Sequence, residues 1–379
     1  MDFVKLLEPI IQQQPEQLII RGIEELQDAN QSLSNSWIAG DVDLIVHHEN
    51  DTLTDNNDYK NWQVGVEFPI WLTGQKNAQL QVAKSYGQEL SSQKNYLRWL
   101  ASNKLRKLVW NHQTAKIEVQ AARSVLQKSQ ALQYKVQQKV KAGESPKIDL
   151  LLANKVVLKQ QNQLVKKQSI LTIAQHQFQK WTQTNHLPQN IQERTLAFIP
   201  LEQHPKIIKL RSKLQVSQSD LQKTTSFKQQ SPRLFLGAKS DRDSSSENNS
   251  LIFEVSIPLG MGSSYLPQVA EKKRHVYTQQ ALLDKAKIQL EQDIFLAQQS
   301  LASAKQSIHF SRQQYEISQQ ALLMSEKAYQ LGETNIQNLL MVQQQTAEAK
   351  LNYQLVQVRK GQAIANLNQI SGHILGAQQ

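Results

Sequence analysis

The chain has 379 residues, of which 39% are hydrophobic and 6% are aromatic. This composition is thin for one compact core of that size, and it favours long helices that each bury a narrow apolar stripe. The net charge is +11, but the lysines are spread along the predicted helices without the interleaved aromatic residues of a base-stacking surface, so no nucleic-acid partner is predicted. The absence of cysteine excludes disulfides and thiolate metal sites.

The N-terminal region predicts a short helix from Gln14 to Leu33, with Pro15 in its first turn, where a missing N–H costs nothing. Nowhere does the sequence contain an apolar run of about 18–20 residues, the length that a transmembrane helix needs. The first ten residues, MDFVKLLEPI, lack the basic and apolar regions of a signal peptide. If the protein is exported, its signal peptide is therefore not part of this sequence.

A β-hairpin is predicted next, because two segments rich in β-branched and aromatic residues flank the polar stretch ENDTLTDNNDY. Its strands are expected at about 37–48 and 61–70. A helical pattern without proline then runs from Gln75 to Lys141, which corresponds to about 100 Å at 1.5 Å per residue. The turn GESP follows, and its counterpart later in the chain is GETN. Gly143 and Gly332 are expected to supply a positive φ in these turns, and the Ser145 and Thr334 hydroxyls to cap the helices that follow.

The second half of the chain repeats the first. VSIPL lies 189 positions after VEFPI, and QLGET lies the same 189 positions after KAGES. Two distant landmarks with one offset predict a tandem duplication, with repeats at residues 1–190 and 191–379. In the first repeat the returning helix is expected at 147–182; in the second, a helix is expected at 204–222, strands at 232–240 and 251–259, and helices at 268–331 and 335–371.

Both long helices carry apolar or small residues at alternating spacings of three and four, which is typical of coiled coils. A helix of about 100 Å cannot bury such a stripe inside a globular domain, and four short strands cannot close a barrel by themselves. Assembly of three chains would satisfy both requirements. We therefore predict a mainly α-helical protein with a small β part, built from two repeats of helix, β-hairpin and long coiled-coil hairpin. Its trimer would close a 12-stranded β-barrel on top of an α-helical barrel.

Three motifs carry a family resemblance: VEFPIWLTG–QKNAQ at the strand-to-helix junction, VKAGESPKIDLL at the first helical tip and AYQLGETNIQNLL at the second. With the repeated architecture, they resemble the TolC-like outer-membrane efflux proteins over nearly the whole chain. The resemblance implies a homotrimeric channel in outer-membrane lipid with a periplasmic extension. It would serve tripartite efflux or type I secretion, docking by its helical tips onto a periplasmic adaptor protein and an inner-membrane pump.

The resemblance also assigns roles to residues. Adaptor docking is expected at the two tips, and a pore constriction on the helices that follow them, although Asn338 and Met341 stand where relatives often carry acidic residues. The junction aromatics are expected at the membrane interface. The tip residues are Gly143, Glu144, Ser145, Gly332, Glu333 and Thr334; the constriction candidates are Asp149, Asn338 and Met341; the interfacial aromatics are Trp62, Phe68 and Trp71.

No metal site or cofactor is predicted. Adjacent residues of a strand point to opposite faces, so His47 and His48 cannot chelate one ion together in a regular strand. No phosphate loop or nucleophile motif supports an enzyme. Two alternatives stay open at this point: a periplasmic adaptor, which would show one hairpin within β-rich halves, and a soluble structural coiled coil, which would explain the heptads but not the repeated strand pairs.

Overall fold

The computed structural model describes residues 3–54, 58–188, 190–259, 263 and 265–376. Across these ranges the chain is mainly helical and has one small antiparallel sheet, as the sequence predicts. None of the helices in them combines the length and the apolar character of a membrane span. The α-helices are α1 (Phe3–Gln12), α2 (Gln17–Asn35), α3 (Gln75–Lys141), α4 (Lys147–Thr182), α5 (Pro205–Ser226), α6 (Leu266–Leu331) and α7 (Ile336–Ile370); the strands are β1 (Asp43–Asn50), β2 (Lys60–Pro69), β3 (Arg233–Arg242) and β4 (Glu247–Ser256).

The first strand is shorter at its start than predicted. It begins at Asp43 rather than at residue 37, and before it only an isolated bridge joins Ile38 to Ile70. Between this bridge and the ladder, Gly40 lies beside Pro69, which has no N–H to donate to a strand partner. A β-carbon added at Gly40 would lie 3.3 Å from the Pro69 Cγ atom.

The two strands of the second hairpin extend closer to its turn than predicted. Much of the predicted link DRDSSSENN is strand, because β3 extends to Arg242 and β4 begins at Glu247. The side chain of Asp243 accepts hydrogen bonds from the backbone N–H groups of Ser245 and Ser246, at 2.7 Å each. Such an Asx turn closes the hairpin within four residues, so the ladder extends on both sides of it. In the first hairpin, residues 55–57 of the predicted link lie outside the described ranges.

Prolines account for two further differences. Strand β4 ends at Ser256 rather than at Leu259, since Pro258 cannot donate a hydrogen bond to the ladder. The predicted first helix starts at Gln17 instead of Gln14, because Pro15 lies in a break between two helices. The helix before that break, α1, was not predicted from the sequence.

The chain divides into two compact units, and each takes segments from both predicted repeats. The repeat boundaries themselves stay a prediction. Unit 1 comprises Met1–Gln17, Leu97–His204 and Ile288–Gln379; unit 2 comprises Leu18–Tyr96 and Pro205–Lys287.

Unit 1 has an apolar core that includes the first helix and the end of the chain. Helix α1 contributes Leu6, Leu7 and Ile10, which pack with residues of α3, with Phe178 of α4 and with Leu375. Each of these five side chains is buried. The few apolar residues at the N-terminus therefore act as a docking segment for the middle of the long helices rather than as a free extension.

A buried ion pair fastens the same region. The guanidinium of Arg106 donates to both carboxylate oxygens of Glu193 at 2.8 Å, and to the Gln369 side chain and the His373 carbonyl oxygen. Arg106 is 6% exposed, so the pair is largely shielded from water. Asn368 donates to Glu193 as well, at 3.0 Å. Helix α3, the segment after α4 and the C-terminal segment are thus joined by one hydrogen-bonded network.

Unit 2 contains the sheet. Its strand order is β1-β2-β3-β4, all antiparallel, so the central pair β2–β3 joins the two predicted hairpins. At the middle of that pair Gly65 lies opposite Gly237. The ring of Phe235 covers both glycines, because a β-carbon at Gly65 or Gly237 would approach the Phe235 Cζ atom within 2.5 or 2.6 Å. The glycines therefore provide the space for this ring, which is 3% exposed.

Replacing Gly65 by alanine should loosen the centre of the sheet. The added methyl group would also meet the Leu236 carbonyl oxygen at 2.5 Å, and overpacking of this kind costs about 1–3 kcal/mol. Amide hydrogen exchange in β2 and β3 is expected to accelerate. Gly22→Ala is the matched control, because no atom lies within 4 Å of its added carbon. Equal protection of β2 and β3 in the two variants would contradict the role assigned to the glycine pair.

Candidate functional site

One face of the sheet is apolar and uncovered in the chain. Side chains alternate between the faces of a strand, and the register aligns the even-numbered residues of β1, β2 and β3 with the odd-numbered residues of β4. Across the middle of this face nine apolar side chains are 40–89% exposed. They are Leu44, Val46, Trp62, Val64, Val66, Leu236, Leu251, Phe253 and Val255.

The opposite face is polar apart from Ile45, Pro69, Ile252, the glycine pair and the Phe235 ring that covers it. Near its junction end, the guanidinium of Arg233 pairs with Asp43 on β1 and with Glu67 on β2. Near its turn end, the Asn61 side chain donates to Asp241 at 2.7 Å, and Lys239 pairs with Asp241 at 2.8 Å. Such a sheet has one face suited to hydrocarbon and one suited to water.

Both edges of the sheet are open within the described part of the chain. Strand β1 pairs only with β2, and strand β4 pairs only with β3. Each edge therefore presents a row of backbone N–H and C=O groups without a strand partner, which is a template for pairing with another chain.

The three predicted interfacial aromatics are not brought together. Trp62 lies toward the turn end of β2, half-exposed on the apolar face, where its ring stacks on His48 with centroids 4.0 Å apart. Phe68 lies at the other end of β2, buried against Trp37. Trp71 donates its indole N–H to the Ser36 carbonyl oxygen at 3.1 Å in the junction. The assignment of all three to a membrane interface stays a prediction.

The two histidines separate as their positions in the strand require. His47 lies on the polar face, 4.0 Å from Glu49, whereas His48 lies on the apolar face, with Nδ1 2.9 Å from the Asn61 carbonyl oxygen. Within the described residues no group of three or more His, Cys, Asp or Glu side chains could hold a metal ion.

Both helical tips end in the same backbone motif. Gly143 and Gly332 have φ values of +80° and +79°, a conformation that favours glycine. The N–H of Glu144 donates to the Lys139 carbonyl oxygen, and that of Glu333 donates to the Ala328 carbonyl oxygen, each at 2.9 Å. These are Schellman caps. Both glutamates are exposed.

The caps of the returning helices differ from the prediction. Helix α4 follows Pro146 without any side-chain cap, so Ser145 does not have the predicted capping role. Helix α7 is capped by Asn335, whose side-chain oxygen accepts from the Asn338 N–H at 3.0 Å. Thr334 instead accepts a hydrogen bond from the Asn338 side chain, at 3.2 Å. Asparagine took the capping position because it is one residue closer to the helix and is an equally good cap.

The two tips pack on each other through an apolar cluster of Val136, Ala153 and Ile336, with Tyr329 and other partly buried residues around it. The Lys139 ammonium lies over the Tyr329 ring, 4.9 Å from its centroid. Burial raises the pKa of the Tyr329 hydroxyl, the Ser145 side chain lowers it, and the Asp149 charge raises it further. The first tip thus approaches the second at Tyr329.

The three candidate constriction residues lie in different surroundings. Asp149 is half-buried in the first turn of α4, close enough to act on Tyr329. Asn338 is exposed and completes the α7 cap, and Met341 is 53% exposed one turn later. Their role in a constriction stays a prediction, as does the role of the tip residues in docking.

Sequence reasoning missed the uncovered apolar face. The signal was present in β2, where Trp62, Val64, Val66 and Phe68 alternate with polar residues or glycine. It was masked because the alternation in β1 and β4 shows only once the register aligns all four strands.

No model of a known protein family matches the sequence, and no curated protein matches it significantly. Solved structures do match. CusC, whose structures concern folding and transmembrane channel formation, superposes with a TM-score of 0.78 at 13% identity, covering 97% of this chain and 91% of that chain. VceC, an outer membrane protein of Vibrio cholerae, gives 0.76 at 14%, covering 97% and 95%. The CmeC outer membrane channel of Campylobacter jejuni gives 0.76 at 12%, covering 99% and 86%.

The chain has the fold of these outer-membrane channels. The resemblance to TolC-like channels that the motifs predicted is therefore confirmed at the level of the fold. The identities are low, so residue roles have to be argued from the geometry of this chain.

Gly332→Pro should destabilise the second tip. Proline fixes φ near −65° and removes the N–H that Gly332 donates to the Tyr329 carbonyl oxygen, and a proline at such an incompatible position destabilises by more than about 1 kcal/mol. Faster hydrogen exchange is expected in the last turns of α6 and the first turns of α7. Gly332→Asn is the control, since asparagine tolerates positive φ. If amide hydrogen exchange in these turns is as slow in the proline variant as in the asparagine variant, the cap is dispensable.

Proposed function

We propose that this chain is one of three identical subunits of an outer-membrane channel, a passive conduit for tripartite efflux or type I secretion. The observation that carries the proposal is the sheet, with one uncovered apolar face, one polar face and two open edges. Lipid would cover the apolar face, water in the lumen would solvate the polar face, and neighbouring subunits would pair with the edges. The likeness of the fold to outer-membrane channels supports this reading.

Three copies are the number that suits the strands. Pairing β1 of one subunit with β4 of the next leaves no open edge and gives a closed barrel of twelve strands, an even number as in bacterial barrels. An open sheet edge in hydrocarbon would leave backbone N–H and C=O groups unsatisfied, at several kcal/mol each. Closure is therefore a condition for insertion into the membrane.

The helices of unit 1 also carry exposed apolar residues that no other helix in the described part of the chain covers. On α6 four exposed apolar residues recur every seven positions, and on α4 three do so. A seven-residue spacing is the seam of a coiled coil, so these stripes need helices beyond those of one chain. We assign them to packing between subunits in a helical tube. The α6 residues are Phe310, Ile317, Met324 and Leu331; the α4 residues are Leu151, Leu158 and Val165.

The helical tips would lie in the periplasm and dock onto an adaptor protein that links the channel to an inner-membrane pump. Glu144 and Glu333 are exposed on the two matching Schellman turns, where a partner can reach them. The rigid turn would position each carboxylate, and the partner would supply the complementary charge. No step of catalysis is assigned to the chain, because its task is to provide a continuous aqueous path.

A soluble or periplasmic structural coiled coil is the alternative. It would bury the stripes on α4 and α6 equally well. It gives no reason for nine exposed apolar side chains on one face of the sheet, however, and a patch of that size in water promotes aggregation. The sheet therefore favours the channel.

Reconstitution tests the proposal directly. Protein purified in detergent should be a trimer by light scattering and should conduct ions when added to planar lipid bilayers. A heat-denatured sample provides the control for leak caused by detergent. A well-folded trimer without conductance, or a protein that stays soluble and monomeric without detergent, would refute the channel.

Charge placed on the two faces of β4 should have opposite consequences. Leu251→Arg puts a cation on the apolar face, which costs about 2–4 kcal/mol if that face meets the middle of a bilayer. Ser250→Arg, the matched variant one residue earlier, puts the same charge on the polar face. The amount of heat-resistant protein recovered in the outer-membrane fraction is expected to fall for Leu251→Arg alone. Since Leu251 is 89% exposed in the single chain, both variants would be tolerated if the sheet faced water on both sides.

A further inference from the structure

The polar face of the sheet carries a charge opposite to that of the whole protein. The chain has a net charge of +11, yet this face holds five carboxylates and two cations, a net charge of −3 with histidine neutral. The carboxylates are Asp43, Glu49, Glu67, Asp241 and Glu254; the cations are Arg233 and Lys239.

The carboxylates are arranged in rows across the strands. At the turn end, Glu49 and Asp241 lie in one row, and Lys239 pairs with Asp241. Three more, described next, form a second row at the junction end. The segment between the rows contains the glycine pair and Lys239 but no carboxylate. The negative charge is therefore concentrated near the two ends of the strands.

The junction row has an excess of carboxylates over cations. The register aligns Asp43 with Glu67, Glu67 with Phe235, and Phe235 with Glu254. Arg233 pairs with the first two carboxylates. Glu254 is exposed and has no ion-pair partner among the described residues. One arginine thus balances one of three charges in the row.

The charges on the other face do not share this distribution. Its only ionisable acid or base residues in the strands, apart from His48, are Lys60, Arg242 and Glu247, all at the turn end, and everything toward the junction is apolar. A sheet exposed to water on both sides has no reason for this segregation. In a barrel, charges on the inner wall act across a lumen bounded by low-dielectric lipid, which concentrates their field on passing ions.

We infer that the polar face of the sheet makes the channel selective for cations, with the row of Asp43, Glu67 and Glu254 as its main determinant. The inference rests on the proposed function. In a trimer this row becomes a ring of nine carboxylates and three arginines, and rings of Asp and Glu favour cation passage. The carboxylates would act through their electrostatic potential in the lumen rather than by binding an ion, so no bound ion is implied. Of the three constriction candidates, Asp149 carries a charge, whereas Asn338 and Met341 carry none.

The reversal potential of the trimer in a planar bilayer under a KCl gradient measures the preference, since potassium and chloride have similar mobilities. The reversal potential of the wild-type channel should have the sign expected for a preference for cations. Glu254→Gln should lower the ratio of potassium to chloride permeability by about twofold, because it removes the unpaired charge of each subunit's row. Glu247→Gln is the matched control: the same change on the same strand, on the opposite face. Its ratio should equal that of the wild type.

The outcomes separate the two proposals. A folded trimer without conductance overturns the channel itself. A reversal potential of zero, or one of the sign expected for anion preference, overturns the selectivity alone. Equal ratios of potassium to chloride permeability in the Glu254→Gln and Glu247→Gln variants do the same. If Glu254→Gln does not insert, the wild-type channel is measured at a pH below the ordinary carboxylate pKa, where the polar face loses negative charge. An unchanged ratio there also overturns the inference.

Discussion

The structure depends on one constraint, the need to cover an apolar sheet face that the chain leaves open. Burying a single Val, Leu or Phe side chain is worth about 1.5–3 kcal/mol. Nine such side chains left in water would forgo a free energy comparable to the whole net stability of a typical domain, about 5–15 kcal/mol. In the proposed channel, lipid on that face, neighbouring strands at the edges and neighbouring helices on the exposed seams would each cover part of this surface.

The helical part of this architecture could be predicted from the sequence because its signals are local. Glycine in a short polar turn after a heptad pattern marks a helix end, and α3 ends at the predicted Lys141. The same reasoning placed Gly143 and Gly332 in turns of positive φ. The cap of α7 was assigned to Thr334 instead of Asn335, because two adjacent residues had nearly equal capping ability and only the backbone geometry decides between them.

The β part was harder because its decisive contacts are remote in sequence. Strand β2 pairs with β3 across more than 160 residues, so no local pattern specifies which side chains share a face. Once Gly65 lies opposite Gly237, every other pair follows, and the apolar and polar faces separate. The sequence alone did not predict α1 either, since ten residues with a proline inside them form a weak helix signal until Leu6 and Ile10 meet the core of unit 1.

The network around Arg106 sets an order of events for the maturing protein. Its hydrogen bonds reach as far as His373, which lies 267 positions later in the chain, and Leu375 completes the pocket of the first helix. A ribosome must therefore release the polypeptide through these residues before unit 1 can close, and until then the guanidinium is solvated by water. Unit 1 therefore cannot close around Arg106 while these late residues are still to be synthesised.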